Sequence, residues 1–279
     1  MALTAPKAVF YRMRIGFIGA GKMAKAMIRG LISHGISPSN ILVCTSSPVS
    51  CAKVSSEYGV VGCGSPADVA KGASVLVLAV KPVHVKDLLS DPDIGIGRDH
   101  LLISVAAGIK ISTLKSYVPD ARIVRVMPNL CSAVMYGVSC YVMGPGTNTD
   151  DETAVRMILE SMGRAFRIEE KDMDAVSGLS GSSPAFVFMI IDALADGGVR
   201  MGLSREFALE LASLTVEGAA KTVMGTREDP DVLKENVCSP GGTTIEGVKV
   251  LNEGKVKELI SDAVVASARK SKKMSRGDA

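Results

Sequence analysis

Arg14-Ile15-Gly16-Phe17-Ile18-Gly19-Ala20-Gly21-Lys22-Met23-Ala24 runs an apolar strand straight into a glycine turn, and a helical pattern continues to about Ser33. Strand, tight turn and helix in that order are the context in which G-x-G-x-x-A binds a dinucleotide. Gly19 makes the turn, Gly21 lets a pyrophosphate approach the backbone, and Ala24 lets helix and strand pack closely. The open N–H groups of the helix start then face the phosphates. Gly19, Ala20, Gly21, Lys22 and Met23 are therefore the first expected cofactor contacts. A glycine-rich turn without a ligand is the bland alternative, and the flanking strand and helix argue against it.

Working outward, short runs of Ile, Val and Leu alternate with stretches of helical length. Ile41–Cys44, Ser74–Val80, Leu101–Ser104 and Arg122–Met127 read as strands buried on both faces. Lys22–Ser33 and Val83–Leu89 read as helices between them. Such alternation implies an α/β fold, a Rossmann-type doubly wound parallel sheet. Val138–Val142 and Ala165–Ile168 add strands around a helix from about Asp151 to Ser161. From about Lys171 the pattern changes to long stretches of Ala, Leu, Met, Glu and Lys. Ala185–Met201, Ser204–Met224, Thr243–Glu253 and Lys255–Lys272 are the expected helices there. The expected division is a dinucleotide-binding domain over residues 1–170 and an all-helical domain over 171–279. Ala193, Ala195, Gly197, Gly198, Ala212, Gly218, Ala219 and Ala220 let helices approach closely, which points to packing against a second copy.

Composition narrows the function further. The 279 residues are 47% hydrophobic and 22% charged, an ordinary globular balance. The net charge of +3 rests on the C-terminal Arg269, Lys270, Lys272, Lys273 and Arg276, read as a solvated tail. Without residues 269–279 there are 27 basic and 28 acidic groups, the whole-chain 32 and 29 less five and one. With no Trp and 4% aromatics, nucleic acid is not an expected partner. The uncharged stretch Val126–Thr149 is broken by Pro128, Gly137, Gly144, Pro145 and Gly146, so it reads as strand, turn, strand, and no membrane partner is expected. Six cysteines form no C-x-x-C pair and no Cys/His cluster, so no metal is expected and reduced thiols point to the cytoplasm. The short leader before Met13 has no room for a secretory signal, while Lys7 and Arg12 leave a mitochondrial transit segment open.

The loops after the strands specify the cofactor. Ile41–Cys44 leads to Thr45-Ser46-Ser47-Pro48 rather than to an acid, and the first acid is Glu57. Ser46 and Ser47 suit a 2′-phosphate that a carboxylate would repel, which favours NADPH over NADH. Ala79, Val80, Lys81 and Pro82 close the fourth strand where the ribose–nicotinamide end should lie. Ala106, Ala107 and Gly108 offer small residues to a flat ring, and Asn129 ends the following strand. In the helical half, Ser239-Pro240-Gly241-Gly242-Thr243-Thr244 opens a helix. Its glycines, hydroxyls and N–H groups suit a carboxylate. His34, His84 and His100 lie away from these motifs and read as helix-face or loop residues.

From Gly16 to about Arg269 the chain resembles the pyrroline-5-carboxylate reductase family. The resemblance is carried by the glycine turn, Ala79-Val80-Lys81-Pro82, Gly178-Leu179-Ser180-Gly181-Ser182, Asp192-Ala193-Leu194-Ala195-Asp196-Gly197-Gly198 and Ser239–Thr244. Ser183, Phe186, Leu130, Cys131 and Pro66 depart from the family's usual residues. The resemblance implies NADPH-dependent reduction of 1-pyrroline-5-carboxylate to L-proline. It implies that Ser239, Gly242 and Thr243 hold the substrate carboxylate, that Gly241 and Asn236 also bind substrate, and that Thr244 hydrogen-bonds the imine nitrogen. It also implies an intertwined dimer, assembled in the family into rings of five. Two alternatives stand beside it. One is a β-hydroxyacid dehydrogenase using Lys221, and the other is a non-catalytic NADPH-binding sensor or scaffold.

Overall fold

The computed structural model describes residues 13–276, so Lys7, Arg12 and Asp278 lie outside the described residues. The chain folds as two compact units. One runs to Gly181 and takes in the chain again from Ser267, and the other is Ser182–Ala266. The boundary thus falls past the expected residue 170. The end of the last helix belongs with the sheet rather than with the other helices.

In the first unit, β1 (Ile15–Ile18), α1 (Lys22–Ser33), β2 (Ile41–Cys44), α2 (Pro48–Tyr58), β3 (Val61–Gly62), α3 (Pro66–Gly72), β4 (Val75–Leu78) and α4 (Val85–Leu89) follow one another. They continue into β5 (Leu101–Ser104), α5 (Ile111–Tyr117), β6 (Arg122–Met127), β7 (Gly137–Met143), α6 (Thr149–Glu160), β8 (Gly163–Arg167) and α7 (Met173–Val176). The eight strands form one sheet in the order β3-β2-β1-β4-β5-β6-β7-β8. Only the β6–β7 pairing is antiparallel. Period-two alternation sorts the side chains. Ile15, Phe17, Val43, Val77 and Ile103 pack with α1 and α6 on one face, while Ile18, Leu42, Leu76, Leu78 and Leu102 pack with α3 to α5 on the other. Both faces are covered, which is why these strands read as unbroken apolar runs.

Register places the working loops. Ile18 pairs with Cys44 and Leu78, and Leu78 pairs with Ser104. Gly19, Thr45, Ala79 and Val105 therefore leave the sheet along one edge, where the strand order reverses between β1 and β4. That edge is the ligand-binding position of a doubly wound sheet.

A wide π turn, Ser177–Ser182, follows α7. The second unit then holds α8 (Ser183–Arg200), α9 (Arg205–Thr226), α10 (Pro230–Val237), α11 (Thr243–Glu253) and most of α12 (Val256–Arg276). Ser204 caps α9 by accepting from the Phe207 N–H. A β-carbon on Gly198 would lie 3.2 Å from Ala208 Cβ, so the α8–α9 crossing depends on small residues. Among the described residues of this unit, the buried apolar set is Ala195, Ala208 and Ala212. Phe188, Met189, Leu214, Val250 and Leu259 face outward.

One expectation changes. The basic tail is not simply solvated: α12 runs to Arg276, Ser271 is buried and donates to Asp174 Oδ1 at 2.7 Å, and Met274 packs on Gly108. The uncharged stretch Val126–Thr149 forms β6, a 3₁₀ turn and β7 as expected. By length and composition, Glu170–Arg200 is long and apolar enough to cross a membrane, and only 11% of its most apolar stretch is buried.

Candidate functional site

The glycine turn is held by more than its own flexibility. Gly19 sits at φ +95°, and its N–H donates to Cys44 O at 3.0 Å. A β-carbon there would lie 2.6 Å from the Ala79 carbonyl oxygen, so both the left-handed conformation and the β4 loop demand glycine. Gly21 is the N-cap of α1 and carries no side-chain cap; nothing lies within 4 Å of where its β-carbon would be. The first N–H groups of α1 thus face open space at the positive end of the helix dipole, beside Lys22 and Met23. This is a cradle for a pyrophosphate, and buried Ala24 lets α1 lie against the sheet. Residues and geometry fit a dinucleotide.

The end of β2 adds a cavity of about 400 Å³ lined by Thr45, Ser46, Cys51, Ser55, Cys63 and Gly64, among others. No carboxylate or cation lines it. Ser46 is exposed and lines this space. Ser47 instead caps α2, its hydroxyl accepting from the Ser50 N–H, and Thr45 Oγ1 donates to Ser47 O at 2.7 Å. The two serines therefore divide the work: Ser46 faces the cavity, and Ser47 orients the helix behind it. Glu57 is occupied elsewhere, paired with Lys25 at 2.8 Å, which lowers its carboxyl pKa. Burial pushes Cys63 up and Cys44 up to about 12, so both thiols stay neutral and protonated. Thr45, Cys63 and Gly64 were not expected here. Gly62-Cys63-Gly64, two glycines around a small residue after an apolar step, was the available signal.

Loops after β4 and β5 continue the edge. Ala79 and Val80 are half-buried, while Lys81 is exposed at the N-cap of a 3₁₀ turn that Pro82 begins. Ala106 is buried, with its N–H directed to Ser104 Oγ, and leaves Ala107 exposed. Gly108 and Asn129, also expected cofactor contacts, have structural partners as well. Gly108, at φ +78°, is buried where Met274 of α12 would meet its β-carbon at 3.2 Å. Asn129 is also buried; it donates to Ser180 O at 3.1 Å and accepts from the Val138 N–H at 3.1 Å. Its side chain braces the π turn against β7.

In the second unit, Cys238 follows α10, and Ser239-Pro240-Gly241-Gly242 turns the chain into α11. The turn is closed by Gly242 N–H to Ser239 O at 3.0 Å, and Gly241 supplies its left-handed residue at φ +72°. Gly242 is the N-cap of α11 and has no side-chain cap. A β-carbon on it would lie 2.5 Å from Ser239 Oγ. Thr243 and Thr244 are exposed in the first turn, with Ser239 exposed beside them. Uncapped N–H groups and three hydroxyls at a helix start can hold a carboxylate. Asn236 is exposed at the end of α10, just before this loop.

The histidines sit at a helix end and in loops, in line with the sequence reading. His34 Nδ1 lies 2.9 Å from Gly30 O, His100 Nε2 lies 3.0 Å from Ala70 O, and His84 is exposed in the turn before α4. Lys221 pairs with Glu217 at 2.6 Å on an exposed face of α9.

Residues 14–108 match the family described as NADP oxidoreductase, coenzyme F420-dependent, and residues 170–274 match the one described as pyrroline-5-carboxylate reductase dimerisation. Sheet order, glycine cradle and these matches define an NADP-dependent oxidoreductase with a self-associating helical half. The chain is 42% identical over 265 residues to a pyrroline-5-carboxylate reductase of Arabidopsis thaliana, covering 94% of this chain and 96% of the relative. It is 38% identical over 265 residues to that of Methanosarcina acetivorans, covering 94% and 98%. Among solved structures, the Plasmodium falciparum pyrroline carboxylate reductase with NADP bound superposes with a TM-score of 0.86 at 31% identity, covering 95% of this chain and 99% of that one. The chain belongs to the pyrroline-5-carboxylate reductase family. The hydroxyacid dehydrogenase alternative gives way, as does the reading of a mere cofactor-binding scaffold, since the family is one of enzymes.

Proposed function

We propose that the protein reduces the cyclic imine 1-pyrroline-5-carboxylate to L-proline with NADPH, the last step of proline biosynthesis. NADPH, when bound, supplies a hydride to the imine carbon, and the C=N electron pair moves onto nitrogen. The residues of the first unit hold and orient the cofactor: Gly19 to Met23 at the pyrophosphate, Ser46 at the 2′-phosphate, and Ala79 to Pro82 with Ala106 and Ala107 toward the ring. In the second unit, Ser239, Gly241, Gly242 and Thr243 hold the carboxylate, with Asn236 at the rim. Thr244 holds its hydroxyl to the imine nitrogen and steadies the amine as it forms. The observation that carries this reading is the uncapped α11 start, where Ser239, Thr243 and Thr244 surround free N–H groups. An imine that arrives protonated needs positioning more than a strong acid, which fits a site built without a histidine.

The outward apolar residues of α8 and α9 support self-association, and the same association explains why Glu170–Arg200 is apolar without being buried in one copy. An intertwined dimer is the proposed unit, with rings of five dimers as its extension. Neither nucleic acid nor membrane is a proposed partner, and six free thiols suit the cytoplasm.

NADPH consumption with pyrroline-5-carboxylate, run against NADH at matched concentration, tests the reaction. Thr244→Ala should lower kcat by about 100-fold while leaving the NADPH dissociation constant within about twofold. Equal losses in both would remove Thr244 from its assigned role, and no turnover by the unaltered protein would remove the reaction itself.

A further inference from the structure

The end of α12 closes a cavity of about 430 Å³ that the reductase chemistry does not use. Lys110, Lys171, Lys272 and Arg276 line it together with Glu170 and Asp174, and all six belong to the first unit. Its charges do not balance. Both acids keep their charge, but part of their hydrogen-bonding capacity is committed. Glu170 Oε1 accepts the Ile111 N–H at 2.8 Å and Arg125 Nη1 at 3.2 Å, and Asp174 accepts the Ser271 hydroxyl at 2.7 Å. Arg125 is itself buried, and among the described residues its Nη2 has no hydrogen-bond partner, so Glu170 already answers a buried guanidinium. Lys171 pairs with Glu169, but both side chains are more than 70% exposed and such a pair contributes little. Among the described residues, Lys110, Lys272 and Arg276 have no carboxylate partner.

A helix C-terminus favours cations, which accounts for Arg276 in the last turn of α12 by itself. It does not account for Lys110, from the segment before α5, or Lys171, from the 3₁₀ turn before α7, which share the same cavity. Four cations from three separate segments face two carboxylates, four less two, so an excess of two positive charges remains for a bound anion to offset. We propose that this cavity binds a small polyvalent anion carrying phosphate groups. Several ammonium groups and one guanidinium match its clustered oxygens and multiple charge. The proposal is independent of the reductase reading.

Inorganic pyrophosphate is the probe. It is titrated calorimetrically into the full chain saturated with NADPH, at constant ionic strength, so that the cofactor's own phosphate contacts are already filled. One equivalent should bind with a dissociation constant below about 1 mM. The Lys110→Ser/Lys272→Ser double variant should weaken binding at least tenfold. Lys71→Ser, an exposed lysine on α3, should leave it unchanged. Absence of binding by the unaltered chain, unchanged binding by the double variant, or an equal loss with Lys71→Ser would each overturn the proposal.

Discussion

The first unit buries its large apolar side chains on itself. Phe17, Met27, Leu31 and Leu76 are fully covered within a single copy, shared between the two faces of the sheet. The second unit spends the same residue types outward: Phe188 is 52% exposed, Met189 72% and Leu214 57%, around a buried set made only of alanines. At about 25 cal/mol per Å² of apolar surface, a helical pair that buries only alanines gains little from its own packing. The difference shows how one chain divides its specification. The sheet half encodes a finished core, and the helical half encodes an interface whose other side is a second copy.

Gly19→Val attacks the finished half where it is least tolerant. Left-handed strain combined with the clash at Ala79 O should weaken NADPH binding more than about 100-fold, read by nucleotide fluorescence. Near-normal binding would show that the cradle is not pre-formed. Phe188→Glu with Met189→Glu attacks the unfinished half. Sedimentation should show a dimer at least about 100-fold weaker, with NADPH binding by the first unit within about twofold. A dimer of unchanged strength would break the contrast between the halves.

The contrast can be sharpened with pH. Burial holds Cys44 and Tyr141 at about 12, and Tyr141 OH also donates to Glu152 Oε1 at 2.9 Å. Unfolded, these groups lose their protons near their ordinary values of 9.0 and 10.0, so the folded state holds more protons above those values. Stability is therefore intact below about pH 9 and falls as pH rises toward 12, by up to about 1.4 kcal/mol per pH unit for each group. Thermal unfolding midpoints measured from pH 8 to 11 should show the decline, and Cys44→Ala should flatten its first part. The smallest expected effect is that of Ser271→Ala, which removes the bond to Asp174 and should cost about 1 kcal/mol in urea unfolding. A null result would mean that the end of α12 is not held to the sheet by this contact.

Much of the first unit was legible in the sequence because its strands are covered on both sides. Ile41–Cys44, Leu101–Ser104 and Arg122–Met127 needed no refinement. Helices α2 and α3 were passed over because they carry few apolar residues, yet both announce themselves chemically. Ser47-Pro48 and Ser65-Pro66 each pair a capping hydroxyl with a proline that fits the first helical position. Pro66, a departure from the family's pattern, is thus a helix starter here. The glycine cradle and the Ser239–Thr244 turn were visible as spacing because backbone geometry dictates their residues. The commitments of Asn129 and Gly108 were not, since each depends on a partner far along the chain: Ser180 for the one and Met274 for the other. Nor does local sequence mark the π turn, which Asn129 holds from a distant strand.

Because the chain re-enters the sheet unit at Ser267, the helical unit is an insertion bounded by two covalent crossings, at Gly181–Ser182 and Ala266–Ser267. A protease nick at Ala266–Ser267 would leave the helical unit joined to the sheet unit through Gly181–Ser182, whereas a nick at Gly181–Ser182 would leave it tied only through the packing of the end of α12, where Ser271 bonds Asp174 and Met274 meets Gly108. The two crossings are thus unequal, and after a cut at the first of them the grip of the end of α12 on the sheet unit decides whether the halves stay together.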